Sequence, residues 1–433
     1  MMDSTEKKYD FYNRFSKQLL MWYAKSGRKE NVAISPVSVL VALCLAAELS
    51  EGETRQQILT GVFDNQDMDT VKSTVLSLLR KFSNDSVFQT ANAVYLREKP
   101  SSEWNSAISA TLKAYGSSRM FTQSDVPDGL NQWIQKQTEG MIRNCADNRM
   151  KDMPFSLMNA MCFNARWKKI YKDQEVYPET FRNADNYYHR VPMMHGEESY
   201  GFSTRDYIGF AKPYLGWKYV FMTVLPRKKT LDLNEAVTAG VDFYKLNKSM
   251  ILADVQAIFP EFIYDCEEKL EDILSENGLK KLFSAEAEFP FLGHGNNIEP
   301  DMVHKVHIEV DRTGTKAAAL TSYKMGGGLP RKLKQLFIKL DRPFYYAVLH
   351  EETGLPILIG IVNRIEPETG NLPDHVPEKQ REKRIAQPSN ELPKVMPVHG
   401  LSVARAMRNK KRGTEDRQKQ NKVRVRTQYR RKK

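Results

Sequence analysis

Residues 311–329 have the sequence DRTGTKAAALTSYKMGGGL, and this stretch decides how the rest of the chain is interpreted. It follows residues 304–310, HKVHIEV, whose alternating side chains predict a half-buried strand. At the same period of two, one face of the stretch carries only small, uncharged side chains, which are Thr315, Ala317, Ala319 and Thr321. The other face carries Gly314, Lys316, Ala318 and Leu320.

A small, uncharged face is what a strand needs if it is to slide between two existing strands, because a bulky or charged side chain would have to enter a packed core. An exposed loop has no such need. Residues 338–348, IKLDRPFYYAV, predict a further strand downstream, with Pro343 near its start. We therefore interpret the stretch as a loop between two strands that can itself become a strand. The alternative is an Ala/Gly-rich linker.

The charge of the chain is concentrated at one end. The 433 residues, 41% of them hydrophobic, are enough for one large core or two ordinary ones, and the formal charge is +12. Residues 401–433 contain 14 Lys and Arg and two acidic residues, whereas the rest of the chain contains 51 basic and 51 acidic residues. The basic character belongs to the tail, which excludes a basic globule of the nucleic-acid-binding type.

Sequence features of export and membrane insertion are missing. The N-terminal residues include no apolar run typical of a signal peptide, and no run of about 18 apolar residues predicts a transmembrane helix. The four cysteines lack metal-ligand spacing, and Cys44 and Cys162 are predicted core thiols. We therefore expect a reducing compartment, the cytoplasm or the nucleus, with extracellular release by unconventional export as the alternative.

Motifs of catalysis are missing as well. The patterns GxSxG, HExxH, the P-loop and GxGxxG do not occur. His304 and His307 share one predicted strand, but no third metal ligand lies nearby in the sequence. We expect His307 to be a hydrogen-bonded structural residue, and we expect no metal, no cofactor and no enzymatic function.

A central helix is predicted near the N-terminus. Residues 37–49 are almost wholly apolar, and a helix that is apolar on all sides must be buried. Ser35 and Pro36 precede this run as an N-cap residue and a proline at the first helical position. A second helix is predicted to restart at residues 52–54, GET.

From residue 31 to residue 363, short motifs occur in an order that resembles the serpin family. They are NVAISPVSVL and GETRQQI (31–40, 52–58), TANAVY (90–95), N-x-W…T-x-G-x-I (131–142), N-A-x-x-F…W (159–167), VPMM, PY and VLP (191–194, 213–214, 224–226), FPEF and NGL (259–262, 277–279), and DRPF and GIVN (341–344, 360–363). The resemblance implies an α+β serpin fold with three β-sheets, about nine helices and an exposed reactive loop. It assigns residues 1–365 to one serpin domain.

The resemblance also assigns roles to residues of this chain. It places the hinge of the reactive loop at Gly314, Thr315, Ala317, Ala318, Ala319 and Thr321. It places the shutter, a polar cluster beneath the point where the central sheet opens, at Ser35, Ser38, Asn159 and His304. The chain departs from the family at three positions that are usually acidic, which here are Arg312, Thr313 and Lys316. Lys316 points outward at period two, so the small inward face is intact.

The implied function is that of a suicide substrate. A protease, of the serine type or alternatively the cysteine type, cuts the loop, forms an acyl-enzyme and is trapped when the loop inserts into the central sheet. The alternative is a non-inhibitory serpin-fold protein with a binding or chaperone-like role, suggested by Arg312, Thr313 and the glycine run. We expect a monomer without membrane contact in either case.

The reactive bond has two candidate positions. The family's spacing from the hinge glycine places it between Gly328 and Leu329, although glycine offers a protease no side chain to bind. The bond between Arg331 and Lys332 would suit a trypsin-like protease if the glycine run is extra loop, and we rank the two equally. Cleavage after Leu329 is disfavoured because Pro330 follows.

Residues 366–433 differ in kind from the rest of the chain. Several prolines are followed by the basic run, without periodicity, which predicts disorder. Two basic clusters separated by 17 residues resemble a bipartite nuclear import signal, and they are Lys410, Lys411 and Arg412, then Arg430, Arg431, Lys432 and Lys433. Such a tail should bind polyanions without sequence preference; the alternative is a solvated tail without a dedicated role.

Deletion of residues 401–433 should abolish binding to polyanions and any nuclear accumulation. The reason is that the remaining chain has no net positive charge with which to compensate. Retention of the full-length and shortened proteins on a heparin column across a salt gradient measures the effect. Equal retention of the two proteins would refute the assignment.

Overall fold

The computed structural model describes residues 9–82, 87–229, 233, 240–292, 300–315 and 333–366. These residues contain eight α-helices, against the nine or so that the resemblance implies: α1 Asp10–Lys25, α2 Pro36–Leu49, α3 Gly52–Phe63, α4 Met68–Phe82, α5 Ser102–Lys113, α6 Asp128–Gln137, α7 Phe243–Lys248 and α8 Glu271–Glu276. None of the described helices combines the length and apolar character needed to cross a membrane.

Sixteen strands accompany the helices in the described residues. They are β1 Val32–Ile34, β2 Phe88–Leu96, β3 Ser118–Thr122, β4 Phe155–Phe163, β5 Ala165–Arg166, β6 Val176–Arg182, β7 Tyr188–Ser203, β8 Tyr207–Pro213, β9 Tyr219–Pro226, β10 Ile251–Pro260, β11 Phe262–Lys269, β12 Asp301–Val310, β13 Gly314–Thr315, β14 Lys334–Lys339, β15 Phe344–His350 and β16 Pro356–Val362.

The strands form three sheets. The largest has nine strands in the order β1-β16-β15-β9-β8-β7-β10-β14, with β6 on β7, and the second has five in the order β11-β12-β4-β2-β3. The third is the short antiparallel pair β13-β5. In the five-stranded sheet the neighbours β12 and β4 run parallel. The predicted α+β fold with three sheets is confirmed.

Helix α2 lies between the two large sheets. It contacts β4 of the five-stranded sheet and β16 of the nine-stranded sheet. All of its residues except Glu48 are buried, as its apolar sequence predicts. Its N-cap is Ser35, whose hydroxyl accepts a hydrogen bond from the Ser38 N–H. The other face of the five-stranded sheet is covered by α6 over a smaller cluster of apolar residues.

The prediction of one strand over residues 338–348 is wrong. The segment contains the end of β14, which stops at Lys339, and the start of β15 at Phe344. The intervening turn is bound to the rest of the protein, since the Asp341 carbonyl accepts a hydrogen bond from the Arg182 N–H. Pro343 has no N–H to donate, so it marks the break between two strands.

Several predicted features lie outside the described residues. They are the inward hinge residues Ala317, Ala319 and Thr321 with their neighbour Ala318, both candidate reactive bonds, and the basic tail with its two clusters.

Candidate functional site

The five-stranded sheet opens between β12 and β4. Their parallel pairing runs from Asp301 opposite Ser156 to His307 opposite Cys162, and stops there although β12 continues to Val310. Beyond that point β13 pairs antiparallel with β5, so that Gly314 lies opposite Arg166 and Thr315 opposite Ala165. The first two hinge residues therefore already form a short strand at the mouth of the gap.

Gly314 is required by the close approach of the two backbones. A Cβ atom at this position would lie 2.3 Å from the Ala165 carbonyl oxygen and 2.6 Å from the Arg166 Cα. Those contacts are backbone atoms, which cannot move aside as a flexible side chain would. The chain can enter the gap at this point only as glycine.

Thr315 follows with its side chain buried. The residue is 0% exposed, and its hydroxyl lies 2.8 Å from the Tyr214 hydroxyl. Burial raises the pKa of Tyr214 well above its ordinary value, so the two groups share a bond between neutral hydroxyls. Thr315 is thus buried before any cleavage, and its place on the inward face of an inserted strand stays a prediction.

An aromatic pair holds the segment that leads into the hinge. Trp167 stacks on Tyr214 with ring centroids 4.4 Å apart. The Trp167 indole N–H donates to the Asp311 carbonyl at 2.7 Å, and its backbone N–H donates to the Thr313 carbonyl at 3.0 Å. The sequence analysis identified Trp167 and Tyr214 only as members of motifs and missed this contact with the hinge.

Close to the aromatic pair lies a buried ion pair. The Lys212 ammonium donates to the Glu198 carboxylate at 2.6 Å, and the Tyr171 hydroxyl donates to the same carboxylate at 2.7 Å. The ammonium also lies 4.2 Å from the centroid of the Tyr171 ring. Burial lowers the pKa of Lys212, while Glu198 acts in the opposite direction. Such a pair is costly to break on one side only, which favours a rigid support for the hinge.

Arg312 is an example of a departure from the family that the structure explains. Its guanidinium makes a two-pronged contact with the Glu261 carboxylate, at 2.9 and 3.0 Å, and a third contact with Asp173 at 2.9 Å. The Arg312 backbone N–H also donates to Glu261, at 2.8 Å. A cation at this usually acidic position is therefore matched by two acids.

The four shutter residues lie together beneath the gap. The Ser35 backbone N–H donates to His304 Nε2 at 3.0 Å, and His304 Nδ1 lies 2.8 Å from Asn159 Oδ1. Because Nε2 accepts, Nδ1 carries the ring proton and donates to Asn159. Ser38 takes part through its backbone N–H, since its hydroxyl has no hydrogen-bond partner among the described residues.

The shutter is part of a longer polar row that crosses the sheet. Asn159 donates to Asn92 Oδ1 at 2.6 Å, and Asn92 donates to the Ser118 hydroxyl at 3.2 Å. The strand register places these residues side by side on neighbouring strands and continues the row to Glu268 on β11. The sequence analysis missed Asn92, Ser118 and Glu268. An Asn within the apolar strand of residues 88–96 was the available signal.

The second histidine of the strand has a simpler environment. His307 Nδ1 lies 2.7 Å from the Asp265 carboxylate on the neighbouring strand β11. No group of three or more His, Cys, Asp or Glu side chains in the described parts of the chain is arranged to hold a metal ion.

The buried His304 makes the fold sensitive to acid. Burial lowers its pKa from 6.5 to about 3, so between these values the unfolded chain binds a proton that the folded protein does not. Stability should therefore fall as the pH drops through this window, with a loss of about 2 kcal/mol from His304 between pH 7.5 and pH 5. Urea unfolding across this pH range measures the slope.

A matched pair of variants isolates the contribution of His304. His304→Gln should be less stable at pH 7.5 but should lose less stability on acidification. His307→Gln removes a second histidine from the same strand and should retain the loss that His304 causes, because His304 and its two hydrogen bonds are intact. If His304→Gln loses stability on acidification as steeply as the wild type, the neutral buried histidine is not the cause.

The charge arrangement at Arg312 predicts a rescue by charge exchange. Arg312→Glu would place three carboxylates together and should cost about 1–3 kcal/mol of stability. Adding Glu261→Arg should recover a substantial part of that loss, because it restores one ion pair. Denaturant midpoints measure both variants.

Arg149 supplies the control for charge reversal. Its side chain is 92% exposed and paired with Asp147, so Arg149→Glu should leave the denaturant midpoint nearly unchanged. A double variant no more stable than Arg312→Glu alone would show that the ion pair is not what holds the hinge base.

The sequence as a whole is similar to known proteins. A family model described as Serpin (serine protease inhibitor) matches residues 10–365. An uncharacterized serpin-like protein of Thermococcus kodakarensis is 26% identical over 347 residues, which cover 77% of this chain and 81% of the relative. Glia-derived nexin of Rattus norvegicus is 24% identical over 361 residues, which cover 78% of this chain and 89% of the relative.

The fold of this chain is similar to the folds of solved protein structures. The native thermophilic serpin tengpin aligns with a TM-score of 0.73 and 26% identity, covering 84% of this chain and 95% of its own. A thyroxine-binding globulin complex with thyroxine aligns with a TM-score of 0.70 over 83% and 99% of the two chains, and at 20% identity this likeness concerns the fold alone. With the family model matched over residues 10–365, the protein belongs to the serpin family.

Proposed function

We propose that this protein inhibits a protease as a suicide substrate. The observation that carries the proposal is the position of Gly314 and Thr315, which pair antiparallel with β5 at the mouth of the gap between β12 and β4, with the Thr315 side chain buried. Because Thr315 is already buried at the mouth of the gap, the residues after it could extend the same strand between β12 and β4 without a change of direction.

Insertion replaces one parallel strand pair by two antiparallel pairs. Cleavage of the loop would free residues 316 onward to run between β12 and β4, and serpin loop insertion is an established case of strand addition. For roughly 12 residues the new ladder bonds contribute on the order of 10 kcal/mol, at about 0.5–1.5 kcal/mol each. The acyl-enzyme would be carried along the sheet before deacylation.

The hydrogen bonds of the polar row must break during insertion, and this opposes the free energy gained from the new strand. The strand would have to pass between His304 and Asn159, whose side chains are hydrogen-bonded across the gap at 2.8 Å. Opening leaves buried polar groups in need of new partners, which costs about 1–3 kcal/mol for each unsatisfied group. The polar row therefore holds β12 and β4 together in the uncut protein. It is broken only when cleavage frees enough of the loop for the new strand hydrogen bonds to outweigh this cost.

A non-inhibitory binding role is the second candidate. The observation in its favour is Arg312, whose contacts with Glu261 and Asp173 fasten the base of the hinge. If these ion pairs prevent residues 312–315 from moving, proteases would cut the loop but the cut loop would not insert. The melting temperature would then stay unchanged after cutting, whereas insertion would raise it substantially.

The direct test uses trypsin-, chymotrypsin- and elastase-like proteases. Inhibition predicts a covalent complex that survives SDS and a cut form with a raised melting temperature. Mass spectrometry of the released fragment distinguishes cleavage after Gly328 from cleavage after Arg331. Simple cutting by every protease, without complex or stabilisation, would reject the proposal.

A charge at position 315 should convert the protein from inhibitor to substrate. Thr315→Arg would put an arginine at the site that Thr315 already fills beside Tyr214 in the uncut protein, so the first hinge residues should be expelled from the mouth of the gap and the cut loop should fail to insert. We expect the number of inhibitor molecules consumed per protease to rise at least tenfold. Titration of protease activity measures this ratio.

Two control variants accompany it. Thr315→Ser keeps the hydroxyl and should inhibit nearly as well as the wild type. Lys316→Glu changes a charge at the next position, which faces outward at period two, and should have little effect. If Thr315→Arg and Lys316→Glu behave alike, the inward position of Thr315 has no special role.

A further inference from the structure

A groove of about 1000 Å³ lies along the first residues of β11, at the edge of the five-stranded sheet opposite β3. Within the described residues β11 is the edge strand of its sheet and pairs only with β12. Ile263 lies in the groove and is 63% exposed, unusual for an isoleucine at a sheet edge. The backbone of β11 therefore has an open edge beside the groove, although the strand also contacts β1, where the Tyr264 hydroxyl donates to the Val32 carbonyl at 2.9 Å.

The lining of this groove is strongly acidic, and we call it the acidic groove. Its six carboxylate residues are Glu30, Glu261, Asp265, Glu309, Asp311 and Glu366. Arg364 is the one cationic residue in the same lining, and it is paired with Glu366. Glu261 is already paired with Arg312, and Asp265 contacts His307, whereas Glu30 and Glu309 form no ion pair within the described parts of the chain. The acidic groove therefore has a local negative charge in a body whose net charge is zero.

The described chain ends inside this groove, at Glu366. Residues 367–400, which follow, contain five acidic and five basic side chains and are neutral. Residues 401–433 then carry a net charge of +12. The strongly basic end is thus joined to the wall of the acidic groove by a neutral linker of 34 residues.

The linker is long enough for the basic end to return to the groove. A random coil of this length, 34 residues, has a root-mean-square span of about 30 Å, which corresponds to an effective concentration on the order of millimolar near the point of attachment. Individually weak contacts between lysine or arginine and exposed carboxylates are sufficient at such a concentration. The same contacts between separate molecules would be far weaker at ordinary protein concentrations.

We propose that residues 401–433 dock in the acidic groove of their own chain, and that polyanions compete with the groove for this tail. The docked tail would lie beside Glu309 and Asp311, the end of β12 and the start of the turn that leads into Gly314. Binding of a polyanion would remove the cations from this segment. The tail would thus be a strap that links polyanion binding to the base of the hinge.

Zero-length cross-linking of the full-length protein tests the docking. A carbodiimide joins lysine amines to carboxylates in contact, and mass spectrometry identifies the pairs. We expect tail lysines to be linked to the acidic groove at least about five times more often than to other exposed carboxylates in roughly 50 mM salt, and the preference to be lost in roughly 500 mM salt. Links distributed in proportion to exposure would overturn the proposal.

Isotope mixing identifies whose tail occupies the groove. Equal amounts of ¹⁵N-labelled and unlabelled protein are cross-linked together. Links confined to one isotope support docking within a single chain. Links between isotopes, at the frequency expected for random mixing, would mean that a second copy supplies the tail and would overturn the proposal.

A pair of triple variants tests the competition with polyanions. The groove variant is Glu30→Gln, Glu309→Gln and Glu366→Gln. The control variant removes the same number of charges from exposed positions elsewhere, by Glu98→Gln, Glu197→Gln and Asp206→Asn. Because both raise the net charge equally, a non-specific gain in polyanion affinity should be the same for the two.

We expect the groove variant to bind a heparin fragment roughly three- to tenfold more tightly than the control variant, because its tail is no longer held. Deletion of residues 401–433 should remove this difference. Equal heparin affinity of the two triple variants would overturn the proposal, as would a difference that persists without the tail.

Discussion

The hydrogen bond between His304 and Asn159 joins the side chains of β12 and β4 across the parallel pair at the centre of the five-stranded sheet. It joins the two parallel strands between which we propose that the cut loop inserts, and it depends on a histidine that is neutral and holds its proton on Nδ1. The Ser35 N–H at the start of the central helix fixes that proton position by donating to Nε2. Sheet, helix and histidine therefore have to be in place together, and any of them that moves releases the others.

The hinge depends on a second set of contacts. These are ion pairs of Arg312, whereas the shutter consists of hydrogen bonds between neutral groups. Arg312 is held by Glu261 and Asp173 on the side of the hinge that faces solvent, and Trp167 holds the backbone of the same segment from inside. The hinge is thus fastened on both sides just before the glycine at which it turns into the gap. A change in the charge of Glu261 would therefore act directly on Arg312, two residues before Gly314.

The periodicity of the sequence predicted the helix and the strand that carry the site, but it did not predict which side chains contact one another. Apolar periodicity identified the central helix and the strand after residue 304, and the alternation of small residues placed Thr315 on the inward face. It gave no indication of which residues Arg312 meets, because its acidic partners lie 51 and 139 positions away. Asn92 was overlooked for the same reason, since a polar residue in an apolar strand acquires meaning only from its neighbours across the sheet.

The position of Cys162 offers a way to observe movement of α6 against the five-stranded sheet. This residue pairs with His307 at the last step of the parallel ladder, and its thiol is fully buried beneath the end of α6, where it lies 3.8 Å from the Thr138 carbonyl. A thiol reagent can reach the sulfur only when the helix end lifts from the sheet. The rate at which a thiol reagent modifies Cys162 therefore reports how often the end of α6 lifts from the sheet, provided that the modified residue is distinguished from the three other buried thiols.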